Sequence, residues 1–327
     1  RRRHTRYWRD WSSDVCSSDL QEAVDSNTIA GEDSPDAFEM LDLEAAVDEW
    51  RDWPKPEALL VITGRQHGYL EPCGCTGLDR QKGGLARRYT LIEQLKEKGW
   101  PILAIDAGNQ VRRFGRQAEV KLQQTVNALK QMDYQAVGFG PDDLRLGVGE
   151  LLSVAAGETA EDTPYVSSNV VLIDPSLMPQ SKLIQVGIHK IGITSVIDPE
   201  LVSDQTSGDI EIREMVNAAN RAASQWRPEQ VAFQVLLFYG SEETAKQIAT
   251  QLTRYSLIVV AGGYGEPTFQ PIEIPGSRAR MVLTGEKGMY AGLFGLFDRG
   301  EHKYARVPLT HQFRSEEHTS ELQSRQY

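Results

Sequence analysis

The chain has 327 residues, and its 46 Asp and Glu side chains outnumber its 35 Lys and Arg, for a formal net charge of −11. This acidic balance argues against binding along a nucleic-acid backbone, which requires clustered positive charge. No apolar run approaches the ~18 residues that a membrane-spanning helix requires, so we expect no transmembrane segment in this stretch. The length is enough for one large core or two smaller ones.

Both ends of the chain read like in-frame translations of sequencing-library adapters. The first match covers residues 1 to 20 and includes the run DWSSDVCSSDL; the second covers residues 314 to 327, RSEEHTSELQSRQY. Such adapter-derived segments are set aside before the fold is considered, so Cys16 is assigned no chemistry. We expect the chain to be a fragment of a longer protein.

Residues 21 to 56 are acidic and weakly patterned, which predicts a solvated linker. Amphipathic spacing around 37 to 51 predicts one short helix within it, ending before Trp53. The alternative interpretation is that residues 21 to 56 are the remaining part of a leader that tethers the protein to a membrane. The folded domain is then expected over residues 57 to 313.

From residue 58 onward, short apolar runs alternate with stretches of helical spacing, an order typical of buried strands connected by helices. The predicted elements, in chain order, are strand 58–63, helix 84–98, strand 101–107, helix 119–132, strand 134–140, strands 165–172, 183–186 and 188–197, helix 212–226, strand 231–238, helix 242–252, and strands 256–261, 279–283, 290–298 and 302–308. This count predicts an α/β fold of α+β-like, four-layer character, in which two packed mixed β-sheets are flanked by helices.

Six short motifs follow one another in this domain. They are TGRQHG at 63–68, GGLARR at 83–88, DAGN at 106–109, GPDD at 140–143, GGYGE at 262–266 and TGEKG at 284–288. In this order they resemble the 5'-nucleotidase and calcineurin-like metallophosphoesterase family over residues 57 to 300. The resemblance implies a metallophosphoesterase-like fold. It also implies an extracytoplasmic location, periplasmic or at the surface, because most 5'-nucleotidase relatives are exported.

An active member of that family holds two divalent metals at the carboxyl ends of its strands, where they orient phosphate and activate a bridging water. The first two motifs of this chain lack most of the expected ligands. Arg65 stands in place of the first aspartate, and a guanidinium cannot bind a metal because it has no free lone pair and stays protonated. Asn109 replaces the bridging aspartate, while His67 keeps the family residue.

The later motifs depart from the family in the same way. Pro141 has no side-chain donor where the family has a ligand Asn, and Asp142 stands in place of a His that assists the transition state. Tyr239 fills the position of a ligand His, and Tyr264 and Glu266 replace the last two His ligands. These replacements argue against the standard two-metal centre.

The remaining acidic side chains allow two interpretations. Asp106, Asp142, Asp143 and Glu266 together with His67 are enough donors for one hard cation. The favoured interpretation is structural, because strand-end Asp residues commonly cap helices or form ion pairs. Asp142 and Asp143 directly precede a helical stretch, where an N-cap is expected.

A second candidate site lies in the loop after the first strand. Cys73, Cys75 and His67 provide two thiolates and an imidazole, a set suited to zinc or copper. The pair is equally compatible with thiol redox chemistry, although a disulfide across one residue is strained. It is also compatible with small buried residues in a glycine-rich turn.

A candidate anion site is predicted at the next helix. Gly83 and Gly84 open that helix, and its exposed N–H groups suit an anion. Arg65 and Arg87 are the candidate cationic partners, and Arg65 would replace positive charge that the metals supply in the family. Arg88 is equally well explained as a solvated residue on the outer face of the helix.

Three functional hypotheses follow. In the first, a catalytically degenerate metallophosphoesterase-fold protein binds a small anionic or phosphate-containing ligand or a protein partner. In the second, a phosphate-ester or nucleotide hydrolase uses a single divalent metal at His67, Asp142 and Glu266, with Asp142 as a catalytic residue. In the third, Cys73 and Cys75 form the centre of a metal-carrying or redox protein.

Overall fold

Two mixed β-sheets form the centre of the protein. The computed structural model describes residues 49–72, 81–156, 162–202, 208–227, 230–263 and 266–313. The strands are β1 (Ala58–Thr63), β2 (Ile102–Asp106), β3 (Tyr134–Val137), β4 (Val170–Leu172), β5 (Lys182–Val186), β6 (His189–Ile197), β7 (Ile210–Ile212), β8 (Phe233–Tyr239), β9 (Leu257–Ala261), β10 (Ile272–Glu273), β11 (Arg280–Leu283), β12 (Tyr290–Leu296) and β13 (His302–Pro308).

Five α-helices accompany these strands in the described ranges. They are α1 (Leu85–Glu97), α2 (Arg116–Gln131), α3 (Val148–Ala155), α4 (Met215–Ser224) and α5 (Glu242–Ala249). Short 3₁₀ turns lie at Glu49–Asp52, Asp143–Leu146, Pro175–Leu177, Pro199–Leu201, Asp298–Gly300 and His311–Phe313. None of the helices in these ranges is both long enough and apolar enough to cross a membrane.

Each sheet combines parallel and antiparallel strands. The first has the order β13-β12-β1-β2-β3, in which β1, β2 and β3 run parallel. The second has the order β10-β11-β9-β8-β6-β5, in which β11, β9, β8 and β6 run parallel. Because parallel strands end at the same edge, the loops after them gather at one edge of each sheet.

Side chains of β8 alternate between two hydrophobic cores. Val235 and Leu237 belong to the core that contains the first sheet and its helices α1 and α2, whereas Leu236 and Phe238 pack with helices α4 and α5. This two-residue alternation is the expected consequence of strand geometry. The helices therefore cover the outer faces, and the predicted α/β fold with two packed mixed sheets is confirmed.

Local boundaries differ from the predictions where glycines interrupt the pattern. The strand predicted over 134–140 ends at Val137, and the chain continues into a loop through Gly138 and Gly140. A helical stretch was expected after Asp143, but helix α3 was given no bounds, because Gly147 and Gly149 obscure its start and glycine is a weak helix former. The strand predicted over 165–172 is limited to β4.

Trp50 anchors the start of the described chain. Its side chain is fully buried in the core of the first sheet, in the 3₁₀ turn Glu49–Asp52. The Lys98 amine lies 5.5 Å from the indole centroid and donates a hydrogen bond of 2.6 Å to the Arg51 carbonyl. The last residues of the predicted linker 21–56 are therefore packed on the domain. Most of its predicted helix and the two adapter-like segments lie outside the described residues.

Replacing Trp50 with Ala should lower the free energy of unfolding by about 3–5 kcal/mol, because the substitution leaves a large cavity in the core. Urea unfolding followed by circular dichroism measures the change. Trp53→Ala is the matched control, since Trp53 is only partly buried and packs edge-on against Phe297 at 6.1 Å. An equal effect of the two substitutions would contradict this packing.

Candidate functional site

The loops after β1 and β2 continue the pairing of their strands beyond the sheet. The backbone N–H of Arg65 donates to the Gly108 carbonyl at 2.7 Å, that of His67 to Asn109 at 3.2 Å and that of Gly68 to Gln110 at 2.7 Å. Arg65, His67 and Asn109 all have positive φ, 52°, 54° and 62°. Residues other than glycine rarely adopt this conformation, and such strain concentrates at functional sites.

Asn109 and Asp142 form a reciprocal pair between the loops after β2 and β3. The Asn109 amide donates to Oδ2 of Asp142 at 3.1 Å, and the Asp142 backbone N–H donates to Oδ1 of Asn109 at 3.0 Å. Gly140 makes this approach possible, because a Cβ at that position would overlap the Asn109 side chain. Asn109 was predicted to replace the bridging ligand. Both the oxygen and the nitrogen of its side chain are thus hydrogen-bonded to the protein.

Asp143 is fully buried and binds backbone rather than solvent. Its Oδ2 accepts the N–H groups of Asn109 at 2.9 Å and Gly140 at 3.0 Å, and its Oδ1 accepts that of Val111 at 3.1 Å. The pKa of Asp143 is raised to about 7, mainly by burial and also by the nearby Asp142 carboxylate, while the three N–H donors oppose the rise.

The N-cap predicted for this pair of carboxylates is wrong. Asp142 precedes the 3₁₀ turn Asp143–Leu146, but its side chain makes no capping hydrogen bond there. It bonds Asn109 instead and lies 3.7 Å from the guanidinium of Arg145. The partners across the loop are closer to its oxygens than the N–H groups of its own short turn, so the carboxylates connect two loops.

Arg65 lies where the ends of three strands meet. Its side chain is only 8% exposed, and its Nη2 contacts Oε2 of Glu286, which follows β11, at 3.4 Å. The hydroxyl of Tyr239, the last residue of β8, lies close enough to Arg65 for the guanidinium to act on its pKa. Burial raises the pKa of Tyr239, so this phenol is neutral. The Nε of Arg65 is buried and has no hydrogen-bond partner among the described residues.

His67 is a neutral imidazole in a cationic surrounding. Its pKa is lowered to about 4, mainly by burial and also by the charges of Arg65, Arg112 and Lys287, while the Glu286 carboxylate opposes the fall. Its Nδ1 is buried without a hydrogen-bond partner among the described residues. A neutral imidazole can accept or donate a hydrogen bond at either ring nitrogen.

A buried polar network supports the site from below. Asp106 accepts hydrogen bonds from Thr63 at 2.6 Å, Gln110 at 2.7 Å and the Gly108 N–H at 2.9 Å. Arg88 lies 3.7 Å from Asp106, and neither side chain is exposed. The alternative of a solvated Arg88 is therefore wrong, because α1 turns this residue inward on the same face as Leu91 and its apolar neighbours.

Glu266 lies apart from the other predicted site residues. Its side chain is 71% exposed and pairs with Arg306 at 2.9 Å. Arg306 in turn stacks its guanidinium 3.6 Å from the Phe269 ring. The described contacts of Glu266 thus involve neither Asn109 nor Asp142, so its position gives no support to a metal site shared with them.

Two N–H groups at the start of α1 have protein partners. The Gly83 N–H donates to the Leu309 carbonyl at 2.8 Å, and the Leu85 N–H donates to Leu70 at 2.9 Å. Arg87 is buried and donates to the Gln81 carbonyl at 2.6 Å. Among the predicted anion-binding residues, Arg65 is the one whose described side chain pairs with Glu286 at the strand ends.

Cys73 and Cys75 lie outside the described residues.

Several known proteins resemble this chain in sequence, although no protein-family model matches it. Mouse 5'-nucleotidase is 21% identical over 268 residues, which cover 76% of this chain and 46% of that protein. A snake venom 5'-nucleotidase from Crotalus adamanteus is 28% identical over 182 residues, which cover 50% of this chain and 30% of the venom protein. The chain thus spans less than half the length of these curated relatives.

Solved structures agree with these relatives. The 5'-nucleotidase precursor of Thermus thermophilus superposes with a TM-score of 0.65 at 20% identity, covering 81% of this chain and 57% of that one. The calcineurin-like phosphoesterase YfkN of Bacillus subtilis gives a TM-score of 0.60 at 18% identity, with 80% and 93% covered. This chain is thus similar in sequence to 5'-nucleotidases. Its sheets and flanking helices are those of the metallophosphoesterase fold.

The donor set of the described residues does not fit a two-metal centre. Among the described residues, no group of three or more His, Cys, Asp or Glu side chains is placed to hold a metal ion. The oxygens of Asp143 already accept three backbone hydrogen bonds, and Asp142 is paired with Asn109. The unpartnered nitrogen of Arg65 is a donor, which suits an anion and repels a cation.

A cavity lies at the amino edge of the sheets, opposite the edge that carries Arg65 and Asn109. It encloses about 650 Å³ and is lined by residues that include Trp53, Arg280, His302 and Tyr304. Arg280 and His302 begin β11 and β13, so the cavity is at the amino end of β11, away from the loops that carry Arg65 and Asn109. None of the residues predicted as site residues lines it.

We expect Arg65→Gln to raise the pKa of His67, because the substitution removes a cation that disfavours protonation of the imidazole. Ring-proton shifts of His67 in an NMR titration from pH 3 to 8 measure the change. Glu286→Gln is the matched counterpart and should move the pKa downward, since the Glu286 carboxylate raises it. Shifts in the same direction would contradict this arrangement of charges.

Asp143 should make the folded state less stable as pH rises from about 4 to about 7. Its folded pKa is raised, so in this window the folded protein binds a proton that the unfolded chain has released, and stability falls with pH. Asp143→Asn should remove this slope while lowering stability at every pH, because its amide cannot accept all three N–H groups. Urea unfolding at pH 5 and pH 8 measures both effects, and an unchanged slope would contradict the assignment.

Proposed function

We propose that the protein is a catalytically degenerate member of the 5'-nucleotidase and metallophosphoesterase family that binds a small oxyanion at the carboxyl edge of its sheets. The observation that carries this proposal is the buried guanidinium of Arg65 at the position of a metal-ligating aspartate. A fixed positive charge there takes over the attraction for anions that two metals would otherwise supply. It does not provide the activated water that hydrolysis of a phosphate ester requires.

The charge around Arg65 supports an anionic ligand. Arg65, Arg112 and Lys287 all act on His67, and among the described residues Glu286 is the carboxylate that opposes them there. The side chain of Lys121, from helix α2, packs beside Gly68 in the loop that carries His67. Positive charge therefore exceeds negative charge around the His67 ring, although the chain has a net charge of −11, and this local excess attracts small anions.

The ligand that fits best is an oxyanion such as phosphate or a carboxylate. Guanidinium groups bind such anions through paired N–H donors. The neutral His67 ring and the Tyr239 hydroxyl add uncharged hydrogen-bonding groups beside Arg65. These contacts recognise the oxyanion and do not select the organic part of the ligand.

An extracytoplasmic location is part of the proposal. It is supported by the family and by matched relatives that are snake venom proteins. Protease accessibility of the protein in intact cells of its source would test it.

The proposal is tested by binding and turnover in one preparation. Calorimetry should show that inorganic phosphate binds with a stoichiometry of one, and hydrolysis of p-nitrophenyl phosphate with added Mn²⁺ should stay at the level of buffer. Arg65→Gln should weaken phosphate binding about tenfold or more, because it removes a charged hydrogen-bonding partner. Arg280→Gln is the control, since Arg280 lies at the opposite edge of the sheets.

Two outcomes would contradict the proposal. Turnover that requires Mn²⁺ would identify a working hydrolase, and its loss on Asp142→Ala would favour the hypothesis of a rearranged metal site. Stoichiometric zinc or copper that disappears on Cys73→Ser, together with no phosphate binding, would favour the Cys-based hypothesis.

A further inference from the structure

The Glu286 carboxylate lies between two of the cations that form the proposed anion site. Its Oε2 is 3.4 Å from Nη2 of Arg65, and its Oε1 is 3.7 Å from Nζ of Lys287. One oxygen thus faces each cation, which is the arrangement that an external carboxylate or phosphate would adopt. Within the described residues, Glu286 is the one acidic side chain that forms an ion pair with Arg65.

These two contacts are loose. Charge-assisted N–H···O bonds are typically ~2.7–2.9 Å, so both distances are longer than a well-formed pair. The Glu286 side chain is 37% exposed, whereas that of Arg65 is 8% exposed. The cation is therefore held in the protein interior, while its carboxylate partner stands at the surface and can turn away into water.

The backbone places Glu286 in a turn that needs no contact with Arg65. Glu286 lies in the turn between β11 and β12, where its carbonyl accepts the Met289 N–H at 3.1 Å. Lys287 and Gly288 follow with φ of 57° and 60°. Because this hydrogen bond and these dihedrals define the turn, its shape does not depend on the Glu286 side chain.

We propose that Glu286 is an internal occupant of the anion site and that a bound oxyanion replaces it at Arg65 and Lys287. This inference rests on the proposed function. Before an anion arrives, the carboxylate neutralises part of the charge of a buried guanidinium, which is costly to leave unpaired. The affinity for an external anion is then reduced by the free energy of separating Glu286 from the two cations. Glu286 therefore determines the concentration of free anion at which half of the sites are occupied.

Calorimetric titration with inorganic phosphate, and separately with acetate, tests this competition. Glu286→Gln should bind both anions about fivefold more tightly than the original chain, which corresponds to ~1 kcal/mol for a partly exposed ion pair. Glu273→Gln is the matched control, because Glu273 pairs with Arg280 at the same distance of 3.4 Å but at the opposite edge. It should leave both affinities unchanged.

The outcomes separate this inference from the proposed function. Tighter binding by Glu286→Gln, lost again when Arg65→Gln is added, supports both. Unchanged or weaker binding by Glu286→Gln, with binding still dependent on Arg65, overturns the role of Glu286 and leaves the anion site standing. Absence of phosphate binding in both the original chain and Glu286→Gln overturns both proposals.

Discussion

The geometry of the candidate site depends on one buried carboxylate. Asp143 binds backbone N–H groups on the loop after β2 and on the loop after β3, so both loops have a fixed position relative to each other. Asn109 and Asp142 meet because these loops are held together. Burying a carboxylate without hydrogen-bond donors costs free energy, and so does burying N–H groups without an acceptor. The arrangement is therefore kept by hydrogen bonds of the protein itself and has no need of a bound ion.

The same arrangement determines which charged and polar groups of the site remain without a partner. The acceptor oxygens at the ends of β2 and β3 are engaged by N–H groups, while Arg65 at the end of β1 keeps an unpartnered donor. Its described carboxylate partner, Glu286, comes from the second sheet at a long distance. The described side chains at this edge therefore leave a buried N–H donor unpartnered at Arg65, whereas the acceptor oxygens of Asn109 and Asp143 are engaged.

The sequence predicted the fold better than the site. Apolar runs and helical spacing located most strands and helices, because burial in a parallel sheet leaves a strong signal. The convergence of Arg65, Asn109 and Asp142 followed from their positions after successive strands. Contacts between side chains on separate loops were not predictable in this way. Asp143 was assigned to a helix cap, although it binds backbone across the loops.

The sequence contained a signal for the burial of Arg88 but none for the contact of Glu286. Arg88 precedes Leu91 and Ile92 by three and four residues, a spacing that puts it on the apolar face of α1 and indicates burial. Glu286 gave no comparable signal, because a polar residue in a glycine-containing turn is usually solvated. Its partner, Arg65, lies 221 positions away in the chain. Such a pairing depends on how the two sheets are packed.

The reciprocal bond between Asn109 and Asp142 has a consequence for how the site tolerates substitution. An aspartate at position 109 alone would bring two carboxylates together and discard the amide donor. An aspartate at position 65 alone would leave Glu286 facing a like charge. Each of these single changes is unfavourable without the others, since residues in direct contact do not act independently. A metal-ligating set of carboxylates at these positions is therefore separated from the present set by several substitutions that have to occur together.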